Sequence, residues 1–172
     1  MERNPYYMLE GKPTFVLSST GITDGERMPL AQLSTQLGGE DKSPHLKWGG
    51  FPDGTKSFAL TVYDPDAPTP SGFWHWAVYN LPSDTVELVS GAGNNSELLP
   101  RNAVAVKNDR SLKEFIGAAP PPKTGRHRYF FVVYALDTEK LDLPEDATPT
   151  FLTFNLLGHT LAWAQLKTWY EQ

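Results

Sequence analysis

The sequence predicts a mainly β chain of antiparallel strands with one substantial helix near its C-terminus, and three observations carry that prediction. Short β-branched and aromatic runs follow one another with no helical pattern between them. Fifteen prolines and fourteen glycines are spread along the whole length, as turns between many short strands require. The one convincing helical period falls after residue 148. Strands in succession disfavour the alternating strand and helix order of a parallel, nucleotide-binding sheet.

The run Ser57 to Tyr63 is a strand by composition, and Asp64-Pro65-Asp66-Ala67-Pro68 ends it with two prolines that cannot continue a ladder. Phe73 to Leu81 is apolar on both parities, which predicts a central strand buried on both faces. Plain alternation along it puts Phe73, His75, Ala77 and Tyr79 on one side and Trp74, Trp76 and Val78 on the other. His127 to Leu136 repeats the pattern, with His127, Tyr129, Phe131 and Val133 facing opposite to Phe130, Val132 and Tyr134. Weaker strands are expected at Ala103 to Lys107, Thr14 to Ser18 and Val86 to Val89, and a rigid loop at Pro120-Pro121-Pro122. For the helix, Thr148 is the N-cap and Pro149 the first residue. The stripe Leu152, Leu156, His159, Trp163 and Leu166 predicts that it runs on to residue 166.

Length and composition fit one domain over residues 1–172: 40% of residues are hydrophobic and 20% charged. No apolar run approaches the roughly 20 residues of a membrane helix. The stretch Met1 to Tyr7 has no apolar segment of signal-peptide type, so a cytoplasmic location is expected. The chain has no cysteine, which removes disulfides, thiol catalysis and thiolate metal sites. With no His-Glu-x-x-His pattern either, no metal is expected, and no cofactor motif is present. A formal charge of −5 repels polyanions at long range, so nucleic acid is not an expected partner and any anion site must be local.

Two features stand apart from the scaffold: the carboxylates of the Asp64 to Pro68 loop, and a histidine in each of two apolar strands, His75 and His127. Taken singly, an aspartate turn and a packed core histidine are the ordinary explanations. His45 is expected at the surface, and His159, on the helical stripe, is read as a structural residue.

Together these features resemble the bacterial, Raf kinase inhibitor-like branch of the phosphatidylethanolamine-binding proteins. The resemblance rests on Ser43-Pro44-His45-Leu46-Lys47-Trp48, Lys56 through Pro68, Gly72-Phe73-Trp74-His75-Trp76, His127-Arg128-Tyr129 and Gly158-His159-Thr160-Leu161-Ala162, in that order. It implies an antiparallel β-sandwich-like fold with short helices. It also implies a ligand pocket formed by Asp64, His75, Pro121, Pro122, His127 and Tyr129, with Asp66 and Pro68 shaping the loop. Imidazole N–H groups and the phenol O–H would donate to the oxygens of a phosphate or phospholipid headgroup. Further implications are a kinase or protease as target and a homodimer. The chain departs from the family pattern at Gly117-Ala118-Ala119-Pro120-Pro121-Pro122 and at Arg110-Ser111-Leu112-Lys113-Glu114, which adds positive charge near the rim. Binding of a small anion without turnover is the expected function. A hydrolase using Asp64 and His75 as an acid–base pair is the enzymatic alternative, and no nucleophile is in view to support it.

Overall fold

The computed structural model describes residues 4–172, so Met1, Glu2 and Arg3 of the segment read as lacking a signal lie outside the described residues. The strands in chain order are β1 (Val16–Ser18), β2 (Leu46–Gly49), β3 (Ser57–Asp64), β4 (Phe73–Pro82), β5 (Glu87–Leu88), β6 (Val104–Ala105), β7 (His127–Leu136) and β8 (Thr160–Tyr170). One helix, α1 (Pro149–Leu156), and four single 3₁₀ turns complete the described elements. The strands form two antiparallel sheets, in the orders β1-β2-β5 and β6-β4-β3-β7-β8.

The five-stranded sheet is buried on both faces, which is why β3, β4 and β7 lack polar positions along most of their length. One face packs Phe58, Leu60, Val62, Trp76, Val78, Phe131 and Val133 against Leu17, Leu46, Trp48 and Leu88 of the smaller sheet. The opposite face packs Ala59, Ala77, Tyr79, Val132 and Tyr134 against Leu152 and Leu156 of α1 and against Tyr6 and Leu9. Among the described residues no helix is long and apolar enough to cross a membrane.

Two expectations are corrected. The helix begins as read, with Thr148 Oγ1 accepting from the Phe151 N–H at 3.1 Å and Pro149 in its first turn, but it ends at Leu156. Residues 160–170 are instead the edge strand β8, paired with β7 from His127↔Tyr170 to Leu136↔Thr160. Ala162, Ala164 and Leu166 thus enter one core and Trp163 the other, with period two and not 3.6. His159 lies in the turn between them, half-exposed, with Nδ1 2.8 Å from Asp137 Oδ1.

The second correction concerns β4. Val62 pairs with Trp76 and Tyr63 with Trp74, so one step along β3 is matched by two along β4. His75 is the extra residue of a β-bulge, and the bulge breaks the alternation at that point. His75 therefore shares a face with Trp76 and with Tyr129 of β7, at 5.3 Å between ring centroids, while Ala77 and Tyr79 face the helix side.

Candidate functional site

β3 ends at one edge of the large sheet where β4 and β7 begin, so Asp64, Phe73, His75, His127 and Tyr129 are brought together there from distant parts of the chain. They line a cavity of about 360 Å³, closed by Ala67, Pro68 and Thr69 on one side and by Ile116, Gly117, Ala119, Pro120 and Pro121 on the other. Pro121 is thus on the wall. Pro122 is exposed outside it, and its place is taken by Ala119 and Pro120. Gly117 is required where the wall passes Leu33 and Ser34, because any Cβ there would run into their backbone.

Asp64 is buried and fully engaged. Its Oδ1 accepts from the Asp66 and Ala67 amides at 2.8 and 3.0 Å, which forms the turn, and its Oδ2 lies 2.7 Å from His127 Nδ1. On the other side of that ring, His127 Nε2 is 2.8 Å from Thr124 Oγ1, whose own hydrogen is donated to the Pro121 carbonyl at 2.7 Å. A hydroxyl has one hydrogen, so Thr124 accepts from Nε2–H while Nδ1–H points at Asp64. The ring is thus held from both sides, by the Asp64 carboxylate at Nδ1 and by the Thr124 hydroxyl at Nε2. His127, expected to donate to a ligand, has both nitrogens occupied by protein groups.

His75 is held differently. Its Nδ1 donates to the Ile116 carbonyl at 2.9 Å, and the Ile116 N–H returns a bond to the His75 carbonyl at 3.1 Å. Its Nε2 makes no hydrogen bond among the described residues. Burial pulls the imidazole below the ordinary histidine value, and this outweighs the raising effects of the Ile116 bond and of the Asp64 and Asp109 charges. Tyr129 is 1% exposed, and its hydroxyl has no hydrogen-bond partner among the described residues. Burial, and then the nearby Asp64 carboxylate, push its pKa far above the usual tyrosine value, so the phenol keeps its hydrogen.

Asp66 joins the loop to β7: Oδ2 accepts from Arg128 Nε at 2.7 Å and from the Arg128 amide at 2.9 Å, and Oδ1 accepts from a second guanidinium nitrogen at 2.7 Å. Partial burial pushes its pKa up, but these bonds and the Arg128 charge outweigh that and hold the carboxyl below its usual range. His45 lies at the surface, partly buried: its Nδ1 accepts from the Thr20 amide, and its Nε2 lies 2.7 Å from the exposed Glu87. The sequence reading missed Phe73 and Ile116 on the wall and Thr124 against His127, while it did expect the positive charge that Arg110 brings to the rim. Of these, only Thr124 left a signal, as a threonine three residues after Pro121 in a position to form a side-chain turn.

A larger cavity of about 670 Å³ lies on the other face of the sheet, lined by residues that include Tyr6, Met8, Tyr63, Trp74 and Phe154. None of the residues expected to bind ligand reaches it. Convergent polar groups, not size, make the smaller cavity the candidate site. Among the described residues no three or more His, Asp or Glu side chains are grouped to hold a metal ion.

A sandwich of this topology, with the Asp64–His127 pair, His75 and Tyr129 around one cavity at the sheet edge, is the arrangement that the motifs of the sequence lead one to expect. A model of the phosphatidylethanolamine-binding proteins matches residues 18–171, and the chain belongs to that family. YbhB of Escherichia coli (strain K12) is 42% identical over 157 residues, which cover 90% of this chain and 99% of YbhB. The crystal structure of E. coli YbcL, described as a new member of the mammalian family, aligns with a TM-score of 0.87 at 40% identity over 92% of this chain and 98% of that one. CT736 from Chlamydia trachomatis D/UW-3/CX aligns with a TM-score of 0.77 at 32% identity, over the same shares of each chain.

Proposed function

We propose that the cavity beside His75 and Tyr129 binds a small phosphorylated anion, either free phosphate or a phosphorylated headgroup, and acts by binding and not by turnover. The observation that carries this reading is the Tyr129 hydroxyl, a buried donor without a partner among the described residues, on a side chain that lines the cavity beside the unbonded Nε2 of His75. Leaving such a group unpaired costs roughly 1–3 kcal/mol, which a ligand oxygen would recover. The hydrolase reading loses its acid–base pair, since Asp64 has both oxygens committed to His127 and to the loop amides.

Calorimetric titration of phosphoethanolamine into the wild type and the His75→Ala, His127→Ala and His45→Ala variants tests the assignment. His75→Ala should weaken binding by roughly 1.5–3 kcal/mol, the range for hydrogen bonds to charged groups. His127→Ala should weaken it as well, by releasing Asp64, and His45→Ala should leave it unchanged. Equal binding by the wild type and both pocket variants would overturn the reading.

A further inference from the structure

The larger cavity, on the helix side of the sheet, differs from the anion pocket in both position and chemistry. Successive strand residues turn to opposite faces, so the neighbours of the anion-pocket residues point the other way. Tyr63, Pro65, Asp66, Trp74 and Arg128 therefore line the cavity of about 670 Å³. Its remaining walls come from α1, through Thr150, Thr153 and Phe154, and from Pro5 to Leu9, which precede the stretch 18–171 matched by the family model.

The floor is apolar and aromatic, with Tyr6, Leu9, Trp74 and Tyr134 all buried. The rim is apolar and open, with Met8 57% and Phe154 70% exposed. Single exposed apolar residues are ordinary, but here they cluster at the mouth of a cavity, where a ligand would take them out of water. Helix α1 shows the same excess: Leu152 and Leu156 face the core, yet Phe151 and Phe154 face outward.

The polar groups of the lining are engaged with one another. Asp66 and Arg128 form a pair whose charges cancel. The Tyr63 hydroxyl donates to the Ser71 carbonyl at 2.9 Å, Trp74 Nε1–H to Thr150 Oγ1 at 3.2 Å, and the Thr153 hydroxyl to the Thr150 carbonyl at 2.9 Å. The Tyr134 hydroxyl lies 3.4 Å from that of Thr61, and the unbonded Tyr6 hydroxyl is sealed in the core beside them. An ion buried here would go without net compensation. The hydrogen of Thr150 and a lone pair of Thr153 suit one neutral polar group.

Shape narrows the choice among neutral molecules. Five lining side chains are aromatic and three are proline, flat or rigid surfaces against which a planar ring stacks. A flexible aliphatic chain would lose the freedom of each bond on being ordered there, a loss that a fused ring avoids. We propose that the larger cavity is a second ligand site, separate from the anion pocket, for an uncharged molecule built on a fused aromatic ring system. Cavities of about 300–1,000 Å³ enclose ligands of this kind.

Titration calorimetry and two-dimensional NMR with naphthol, naphthoate and decanol at pH 7 test the proposal. Naphthol should bind once per chain and shift the indole N–H resonance of Trp74, while those of Trp48 and Trp76, in the core on the other face, stay in place. Naphthoate and decanol should each bind at least about tenfold more weakly. Thr153→Trp, which fills the cavity from its wall, should abolish naphthol binding. Phe154→Ser, at an exposed position where the fold is not at risk, should weaken it severalfold. Phosphoethanolamine should not displace it. Unchanged binding in both variants, an unmoved Trp74 signal or displacement by phosphoethanolamine would overturn the site, and equal affinity for naphthoate or decanol would overturn the ligand class. Absence of naphthol binding refutes the proposal, and a dimer in sedimentation that Phe154→Ser dissociates would then give the rim to a second copy of the chain. The anion-pocket reading stands under each of these results.

Discussion

Replacing Asp64 with alanine removes the carboxylate that pairs with a fully buried imidazole, and with it the acceptor for two loop amides. Breaking one side of a buried pair typically costs about 3–5 kcal/mol, because the group left behind loses its partner in the interior. The two amides lie in a part-buried loop that water can reach, so they add little to that figure. For a chain of this size each kcal/mol moves the melting temperature by about 2–4 °C, so Asp64→Ala should melt roughly 6–20 °C below the wild type. Asp64→Asn keeps an oxygen for the Asp66 and Ala67 amides. Its NH₂ group faces Nδ1–H, and His127 must surrender that hydrogen, so the loss should be about half as large. Differential scanning calorimetry of the three proteins at pH 7 measures the order and the sizes. Melting of Asp64→Ala within about 2 °C of the wild type would show that the carboxylate and the ring are not joined as described.

Trp163→Ala should cost about 3–5 kcal/mol in urea unfolding, because Trp163 is 7% exposed and packs its ring 6.1 Å from that of Tyr6 beneath β7 and β8. A loss below about 1 kcal/mol would mean that β8 is not seated on that core. Without ligand, the His75 pKa lies below its unfolded value of about 6.5, so the unfolded chain binds the extra proton first. The contribution of His75 to stability should be complete above pH 6.5 and decline as pH falls from there toward the folded pKa. Urea unfolding at steps from pH 7.5 to 5 should show a shallower decline for His75→Asn than for the wild type, and identical slopes would contradict the burial argument.

The three long strands were legible because burial on both faces writes a continuous apolar run, and β7 in particular has the bounds read from its composition. β8 was not, for a definite reason. Leu152, Leu156, His159, Trp163 and Leu166 satisfy a helical spacing, while Thr160, Ala162, Ala164, Leu166 and Thr168 satisfy a strand spacing, and only the long pairing with β7 decides between them. The β4 bulge is equally invisible to local pattern, since an extra residue exists only relative to the register of β3. For the site, residue types and motif order led to Asp64, His75, His127 and Tyr129. Their division of labour depends on partners far away in the chain: Asp64 for His127, 63 residues distant, and Ile116 for His75, 41 residues distant. A run of three consecutive prolines could not show which of them faces the cavity.

The central claim is that Tyr129 and His75 jointly hold the anion, and a crystal structure of the chain with phosphoethanolamine tests it most directly. The account predicts a phosphoryl group in the cavity of β3, β4 and β7, with separate oxygens roughly 2.5–3.0 Å from the Tyr129 hydroxyl and from His75 Nε2 and with the Asp64–His127 pair unbroken. A phosphoryl group seated in the larger cavity beneath α1, or one in the expected cavity that touches neither Tyr129 nor His75, would contradict it.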